Sequence, residues 1–118
     1  MRILYIEDNI PNRSLIERIT SSGNHHLQTY ATAEDALHHF MEDDPHLILV
    51  DVELAGQMTG LDFVQTVRAE GLTLPIIAIT SVTNEQMCME AGCNAAFLKP
   101  IPVQQVWQMI EDYAQILD

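Results

Sequence analysis

The sequence predicts an open α/β domain in which a parallel sheet is covered by helices on both faces. Apolar, β-branched runs alternate five times with segments of helical spacing, an order that favours parallel pairing of the strands. Two of the runs, LILVD and PIIAIT, are continuously apolar, as is typical of central strands that are buried on both faces. The predicted strands are residues 3–6, 27–31, 47–50, 76–79 and 95–98.

Capping residues and glycines indicate where the helices begin and end. Thr32 is placed to cap the second helix, which has acidic residues in its first turn. Gly23, Gly71 and Gly92 stand where helices are expected to stop. Helical spacing predicts the core-facing side chains of two helices. These are Ala36, Leu37, Phe40 and Met41 in the second helix, and Val103, Val106, Trp107, Ile110, Ala114 and Leu117 in the last.

Length and hydropathy predict a single domain over residues 1–118. A chain of 118 residues with 47% hydrophobic content can bury about two thirds of its unfolded surface in one core. No segment approaches the roughly 18 unbroken apolar residues that would span a membrane. Glu7 and Asp8 interrupt the N-terminal apolar run after a few residues, so it does not read as a signal peptide. We therefore expect a cytoplasmic location.

The charge balance argues against two classes of partner. Five Lys and Arg against 17 Asp and Glu give a formal charge of −12, which repels nucleic acid and anionic membranes. Cys88 and Cys93 are expected to be reduced thiols, as in a reducing compartment. The five histidines include no pair at i, i+4 spacing, so a zinc site is not expected.

Polar residues collect where the predicted strands end. Glu7 and Asp8 follow the first strand, Asp51 the third, Thr80 the fourth, and Lys99 the fifth. In open parallel sheets, the functional crevice lies outside the carboxyl ends of the strands, where the strand order reverses. Clustered carboxylates are tolerated there when a divalent cation binds among them. Magnesium suits best, because it prefers oxygen ligands and retains several waters.

Five motifs in order resemble those of response-regulator receiver domains of bacterial two-component signalling, in the superfamily of the chemotaxis regulators. They are EDN, LILVDVEL, GLDF, IIAITS and AGCNAAFLKP, and the resemblance covers essentially the whole chain. It implies a flavodoxin-like, doubly wound sheet of five parallel strands in the order 2-1-3-4-5, with five helices. It leaves open whether the chain is a stand-alone regulator, a phosphorelay intermediate or a receiver from a longer protein.

The resemblance also implies a role for each residue at the strand ends. Asp51 would accept a phosphoryl group, Thr80 would hydrogen-bond its oxygen, and Lys99 would form an ion pair with it. Asp8 and Asp51 would bind Mg²⁺ directly, Glu7 partly through water. The remaining protein ligand would be the backbone carbonyl of Glu53, and Mn²⁺ is the expected substitute metal.

Partners follow from the same resemblance. A sensor histidine kinase or a histidine phosphotransfer protein would donate the phosphoryl group. The protein would catalyse its own phosphorylation and dephosphorylation without being a conventional turnover enzyme. Output would pass to a protein partner through the face formed by helix 4, strand 5 and helix 5, where Trp107 and Met109 are candidates, and the family also allows phosphorylation-dependent homodimers.

The sequence departs from the family pattern at two places. The loop after Asp51 is one residue longer than in many receivers and has Ala55 where they have proline, which predicts a more mobile loop. Ala96 occupies the position of the usual signalling aromatic residue, and Phe97 follows it. Because side chains alternate along a strand, Phe97 is expected on the opposite face. We therefore expect the output to depend on movement of residues 82–92.

Two alternative functions compete with phosphoryl transfer. The first is an interaction module with the receiver fold that is not phosphorylated; the acids, Thr80 and Lys99 argue against it. The second is a flavin-binding protein of flavodoxin-like fold; EDNIPN argues against it, because it places acids where a flavin phosphate would bind. Glu53 and Val82 are expected to contribute to the lifetime of the phosphorylated state.

Overall fold

The computed structural model describes residues 1–54, 56–81 and 85–117, and these form alternating strands and helices. The strands are β1 (Arg2–Ile6), β2 (His26–Tyr30), β3 (Leu47–Asp51), β4 (Ile76–Thr80) and β5 (Ala95–Leu98). The helices are α1 (Ile10–Ser22), α2 (Ala33–Asp43), α3 (Gly60–Ala69), α4 (Glu85–Ala91) and α5 (Val103–Leu117). All five predicted strands are confirmed to within one residue at each end.

The five strands form one parallel sheet in the order β2-β1-β3-β4-β5. This order confirms the predicted doubly wound, flavodoxin-like fold. The order reverses between β1 and β3, where Ile6 pairs with Val50. The residues that follow this pair, Glu7 and Asp51, therefore lie side by side at the carboxyl ends of β1 and β3.

Alternating side chains of the central strands feed two separate hydrophobic cores. Leu4, Ile6, Ile48 and Val50 point to the core that is completed by α2, α3 and α4. The residues that alternate with these along each strand, such as Tyr5 between Leu4 and Ile6, point to the core completed by α1 and α5. Burial on both faces explains why β1, β3 and β4 read as unbroken apolar runs.

The predicted apolar faces of α2 and α5 are correct at their centres and too wide at their edges. In α2, Phe40 is buried, whereas Met41 is 81% exposed, which corrects its predicted core position. In α5, Val106 and Ile110 are buried. Three further residues of α5 that were predicted to face the core are exposed instead. They are Val103, Trp107 and Leu117, with exposed fractions of 40%, 39% and 53%. Each exposed residue lies about 100° around the helix from a buried one, or at a helix end, beyond the reach of the sheet.

The predicted helix boundaries are confirmed. The Thr32 side chain caps α2 by accepting a hydrogen bond from the Asp35 backbone N–H. Gly23 caps α1. Gly71 and Gly92, after α3 and α4, have φ values of 85° and 120°, a left-handed conformation that glycine adopts without steric cost.

Both cysteines are free and buried; Cys88 lies within α4, and Cys93 follows the end of that helix. Burial raises the pKa of the Cys93 thiol to about 12, so it stays protonated at neutral pH. None of the helices in the described ranges has the length and hydropathy that a membrane-spanning segment requires.

Gly60, at the start of α3, packs directly against the backbone that carries Asp51. A Cβ atom at Gly60 would lie 2.2 Å from the Asp51 carbonyl oxygen and 3.0 Å from the Val52 Cα. Neither backbone atom can rotate away, so we expect Gly60→Ala to lower the free energy of unfolding by about 3 kcal/mol in urea denaturation.

Gly71→Ala is the matched control for this prediction. It adds a Cβ at a left-handed residue with no atom within 4 Å, and we expect a loss of about 1 kcal/mol from backbone conformation alone. Equal losses for the two variants would contradict the close packing of Gly60 on the Asp51 backbone.

Candidate acidic site at the carboxyl ends of the strands

Three carboxylates meet at the ends of β1 and β3. Glu7, Asp8 and Asp51 each offer an oxygen that lies within 4.8 Å of the other two, and no other such group of three is found in the described part of the chain. Glu7 and Asp51 are 0% and 1% exposed, whereas Asp8 is exposed to solvent. The parallel pairing of β1 with β3 thus brings two buried anions together and leaves a third at the opening.

The donor set fits a hard divalent cation. Glu7 is anchored through Oε1, which accepts hydrogen bonds from the Tyr5 hydroxyl at 3.2 Å and from the Asn12 side-chain amide at 2.9 Å. Its other oxygen, Oε2, is buried and receives no hydrogen bond from the described residues. A buried carboxylate oxygen without a donor, beside two further carboxylates, is the arrangement that an oxygen-seeking cation such as Mg²⁺ satisfies.

Asp51 is held by both a cation and a backbone donor. Its Oδ1 lies 2.9 Å from Lys99 Nζ and accepts the Glu53 backbone N–H at 3.0 Å. Burial raises the pKa of Asp51 to about 7, and the neighbouring Glu7 carboxyl adds to the rise, while Lys99 opposes it. One positive side chain therefore does not fully compensate the two buried acids, and the site favours a further positive charge.

Lys99 is brought to Asp51 by the pairing of the β4 and β5 ends. Its backbone N–H donates to the Thr80 carbonyl at 2.7 Å, and the Lys99–Pro100 peptide bond is cis. Partial burial opposes the charged form, but the hydrogen bond to Asp51 and the charge of Asp51 outweigh it, so the pKa of Lys99 is raised. The ammonium group is therefore charged at neutral pH.

Thr80 and Ser81, at the end of β4, donate to the side chain of Glu53. The Thr80 hydroxyl lies 2.9 Å from Glu53 Oε2, and the Ser81 backbone N–H and hydroxyl both donate to Glu53 Oε1. Burial alone would raise the pKa of Glu53, but the Ser81 and Thr80 hydrogen bonds outweigh it and lower the pKa. Sequence reasoning assigned only the backbone carbonyl of Glu53 and missed this use of its carboxylate and the part of Ser81.

Glu34 is a second residue that sequence reasoning missed. Its Oε2 accepts the backbone N–H groups of Gln57 and Met58, both at 3.3 Å, and so ties the start of α2 to the loop after β3. An acid in the first turn of a helix is an ordinary dipole partner, so the sequence gives no signal for this second contact. Ala55, on which the prediction of a mobile loop depends, lies outside the described residues, as does Val82.

Ala96, at the position of the usual signalling aromatic residue, and its neighbour Phe97 lie on opposite sides of the sheet, as predicted. Ala96 packs against the core of α2, α3 and α4. Phe97 packs against the core of α1 and α5. An aromatic side chain on β5 therefore does not adjoin α4. Residues 82–84 of the segment expected to move lie outside the described residues.

Sequence comparison identifies the family to which this architecture and site belong. The profile of the response regulator receiver domain matches residues 3–111, and the chain belongs to that family. It is 30% identical over 118 residues to the sensor histidine kinase RcsC of Escherichia coli K12, a match that covers 98% of this chain and 12% of RcsC. The chain therefore spans about an eighth of the length of that relative.

Solved structures share the fold. The receiver domain of the Francisella response regulator 1452 superposes with a TM-score of 0.90 at 13% identity, over 98% of both chains. The complex of the Saccharomyces cerevisiae histidine phosphotransfer protein Ypd1 with the receiver domain of Ssk1 contains a chain that matches with a TM-score of 0.85 at 19% identity. That match covers 94% of this chain and 86% of the other.

The raised pKa of Asp51 predicts the pH dependence of stability in metal-free buffer. The pKa is 3.8 in the unfolded chain and about 7 in the folded one, so folding favours the protonated acid. The contribution of protonated Asp51 to the free energy of unfolding is fully present below pH 3.8 and is lost as the pH rises through about 7. Asp51→Asn removes this loss.

We therefore expect Asp51→Asn to be more stable than the wild type at pH 8, by on the order of 4 kcal/mol, since the pKa of Asp51 rises from 3.8 to about 7 on folding and each pKa unit corresponds to about 1.4 kcal/mol. The difference should shrink as the pH falls to 5. Urea denaturation in EDTA at both pH values measures it. A difference that does not change with pH would contradict the raised pKa.

Proposed function

We propose that this receiver domain accepts a phosphoryl group on Asp51, in a reaction that needs Mg²⁺, and that the modification switches its contacts with partner proteins. The observation that carries the proposal is the ion pair of Asp51 with Lys99, at 2.9 Å, beside the buried Glu7. A buried carboxylate beside a lysine and two further acids has a nucleophilic oxygen, and the lysine can bind the negative charge of an incoming phosphoryl group.

Four residues would hold the metal. Asp8 and Asp51 would bind through their carboxylates, Glu53 through its backbone carbonyl, and Glu7 partly through water. Bound Mg²⁺ would neutralise charge between the acids and the phosphoryl oxygens. Mn²⁺ is expected to replace it, because the ligands are carboxylate, carbonyl and water oxygens, which suit both metals.

The reaction would form one bond and break another at phosphorus. The Asp51 oxygen that does not contact Lys99 would attack phosphorus, while the bond from phosphorus to the donor breaks and the donor leaves with the electron pair. Lys99 Nζ would stay paired with the phosphorylated site and neutralise the extra charge. Water attack on the acyl phosphate would later release inorganic phosphate and restore Asp51.

A phosphohistidine-bearing protein is the proposed donor. The relative RcsC is itself named a sensor histidine kinase, and the structure of Ssk1 was solved with the histidine phosphotransfer protein Ypd1. A sensor kinase or a phosphotransfer protein fits the proposal equally well. We place the reaction in the cytoplasm, where such donors act on receiver domains.

The output partner is proposed to bind the face of α4, β5 and α5. Large apolar side chains are exposed on all three elements: Met87 and Met89 on α4, Leu98 on β5, and Val103 and Trp107 on α5. Exposed apolar groups on neighbouring elements favour a protein interface. A second phosphorylated copy of the chain would use the same face. The net charge of −12 argues against nucleic acid as the direct target.

Intact mass after incubation with acetyl phosphate tests the proposal. We expect an increase equal to one phosphoryl group in the presence of Mg²⁺ and none in EDTA, because the uncompensated acids repel the donor. Asp51→Ala should abolish the adduct. Asp112→Ala, which removes an exposed acid of α5, is the matched control and should retain it.

Two results would contradict the proposal. An adduct that persists in Asp51→Ala would place the phosphoryl group elsewhere. No adduct with Mg²⁺, together with no response to beryllofluoride, would favour the alternative of an interaction module that uses the receiver fold without phosphorylation.

A further inference from the structure

The Glu53 carboxylate occupies the hydrogen-bond donors at the end of β4. Its Oε2 accepts from the Thr80 hydroxyl at 2.9 Å, and its Oε1 accepts from both the backbone N–H and the hydroxyl of Ser81. Three donors converge on one carboxylate, which is an arrangement suited to an anion with several acceptor oxygens.

These donors stand next to the proposed acceptor. Glu53 is tethered there, because its own backbone N–H donates to Asp51 Oδ1 at 3.0 Å. The same oxygen contacts Lys99 at 2.9 Å, and the charge of Glu53 also acts on Lys99. When a phosphoryl group is added to Asp51, the Glu53 carboxylate would therefore already occupy the Thr80 and Ser81 donors that could bind the phosphoryl oxygens.

We propose that Glu53 is a resident anion of the unphosphorylated site, whose carboxylate must leave Thr80 and Ser81 before a phosphoryl group on Asp51 can take those donors. The proposal rests on the proposed function of Asp51 and assigns Glu53 a positioning role within it. Glu53 holds the end of β4 in one arrangement, and its displacement couples phosphorylation to a change of that segment.

The exchange is physically accessible. Glu53 is exposed, so its released carboxylate can rotate into solvent and be hydrated. A phosphoryl group carries up to two negative charges and three acceptor oxygens, against one charge and two oxygens for the carboxylate. The phosphoryl group is also attached covalently at the site. It therefore competes successfully, while Glu53 lowers the affinity of the site for anions that are not attached.

Beryllofluoride with Mg²⁺ is the probe, because it adds to an aspartate carboxylate and presents fluorine atoms in place of phosphoryl oxygens. We expect Glu53→Gln to bind beryllofluoride about fivefold more tightly than the wild type, since a hydrogen bond to a charged acceptor is about twice as strong as one to a neutral acceptor. The rate of phosphorylation by acetyl phosphate should rise by a similar factor. In that reaction the Asp51 oxygen bonds to phosphorus and acetate leaves.

Matched controls separate the contact from its charge. Glu85→Gln removes one negative charge at the start of α4 and is expected to leave the beryllofluoride affinity within about twofold of the wild type, because exposed charges are screened. Glu53→Ala removes the carboxylate altogether and should act in the same direction as Glu53→Gln. A urea midpoint for each variant establishes that it is folded.

A spectroscopic signature tests the contact before any ligand is added. The Ser81 amide proton donates to a charged acceptor in the wild type, so Glu53→Gln should move its NMR resonance upfield, and Glu85→Gln should not. Beryllofluoride should move the same resonance in the wild type, as the acceptor changes.

The outcomes distinguish this proposal from the proposed function. If the wild type binds beryllofluoride and loses that binding in Asp51→Ala, the function of Asp51 stands. Equal or weaker binding by Glu53→Gln in that case overturns the resident-anion role alone. If the wild type neither binds beryllofluoride nor accepts a phosphoryl group, both proposals are overturned.

Discussion

The parallel pairing of β1 with β3 is the constraint on which the site depends. With Ile6 opposite Val50, the next residues of the two strands are acids, and both Glu7 and Asp51 are buried. Two adjacent buried carboxylates repel each other and lose hydration, so they raise the free energy of the folded state unless cations compensate them. Lys99 supplies one positive charge, and Glu7 Oε2, which accepts no hydrogen bond from the described residues, is where a metal would supply more.

The side chains around Glu7 and Asp51 determine which residues would respond to a change of charge at Asp51. On β5, Ala96 faces α4 and Phe97 faces α1 and α5, so an aromatic side chain is not placed to follow the Thr80 hydroxyl. Glu53 instead joins Asp51 to Thr80 and Ser81, because its backbone N–H donates to Asp51 and its carboxylate accepts from the other two residues. A charge added at Asp51 is thus next to a side chain that can exchange its partners, which would give the proposed switch a physical basis without the usual aromatic residue.

The strands and their polar ends were predictable because both follow from local patterns. Unbroken apolar runs mark buried parallel strands, and the residue after each run must lie at the rim. The contacts that long side chains make with residues of other loops were not predictable. The contact of Glu53 with Ser81 depends on how two loops approach each other, and Glu34 reaches a loop 23 residues away. Periodicity also gives the direction of an apolar face but not its width. This is why Met41 and Trp107 were predicted to face the core although both are exposed.

A crystal structure with Mg²⁺ and beryllofluoride bound tests the central claim most directly. We expect beryllium on Asp51, the metal among Asp8, Asp51 and the Glu53 carbonyl, and fluorine atoms in contact with Lys99 and Thr80. The Glu53 carboxylate should have left Thr80 and Ser81. A metal bound away from these acids, or beryllofluoride bound to another residue, would contradict the account of the site.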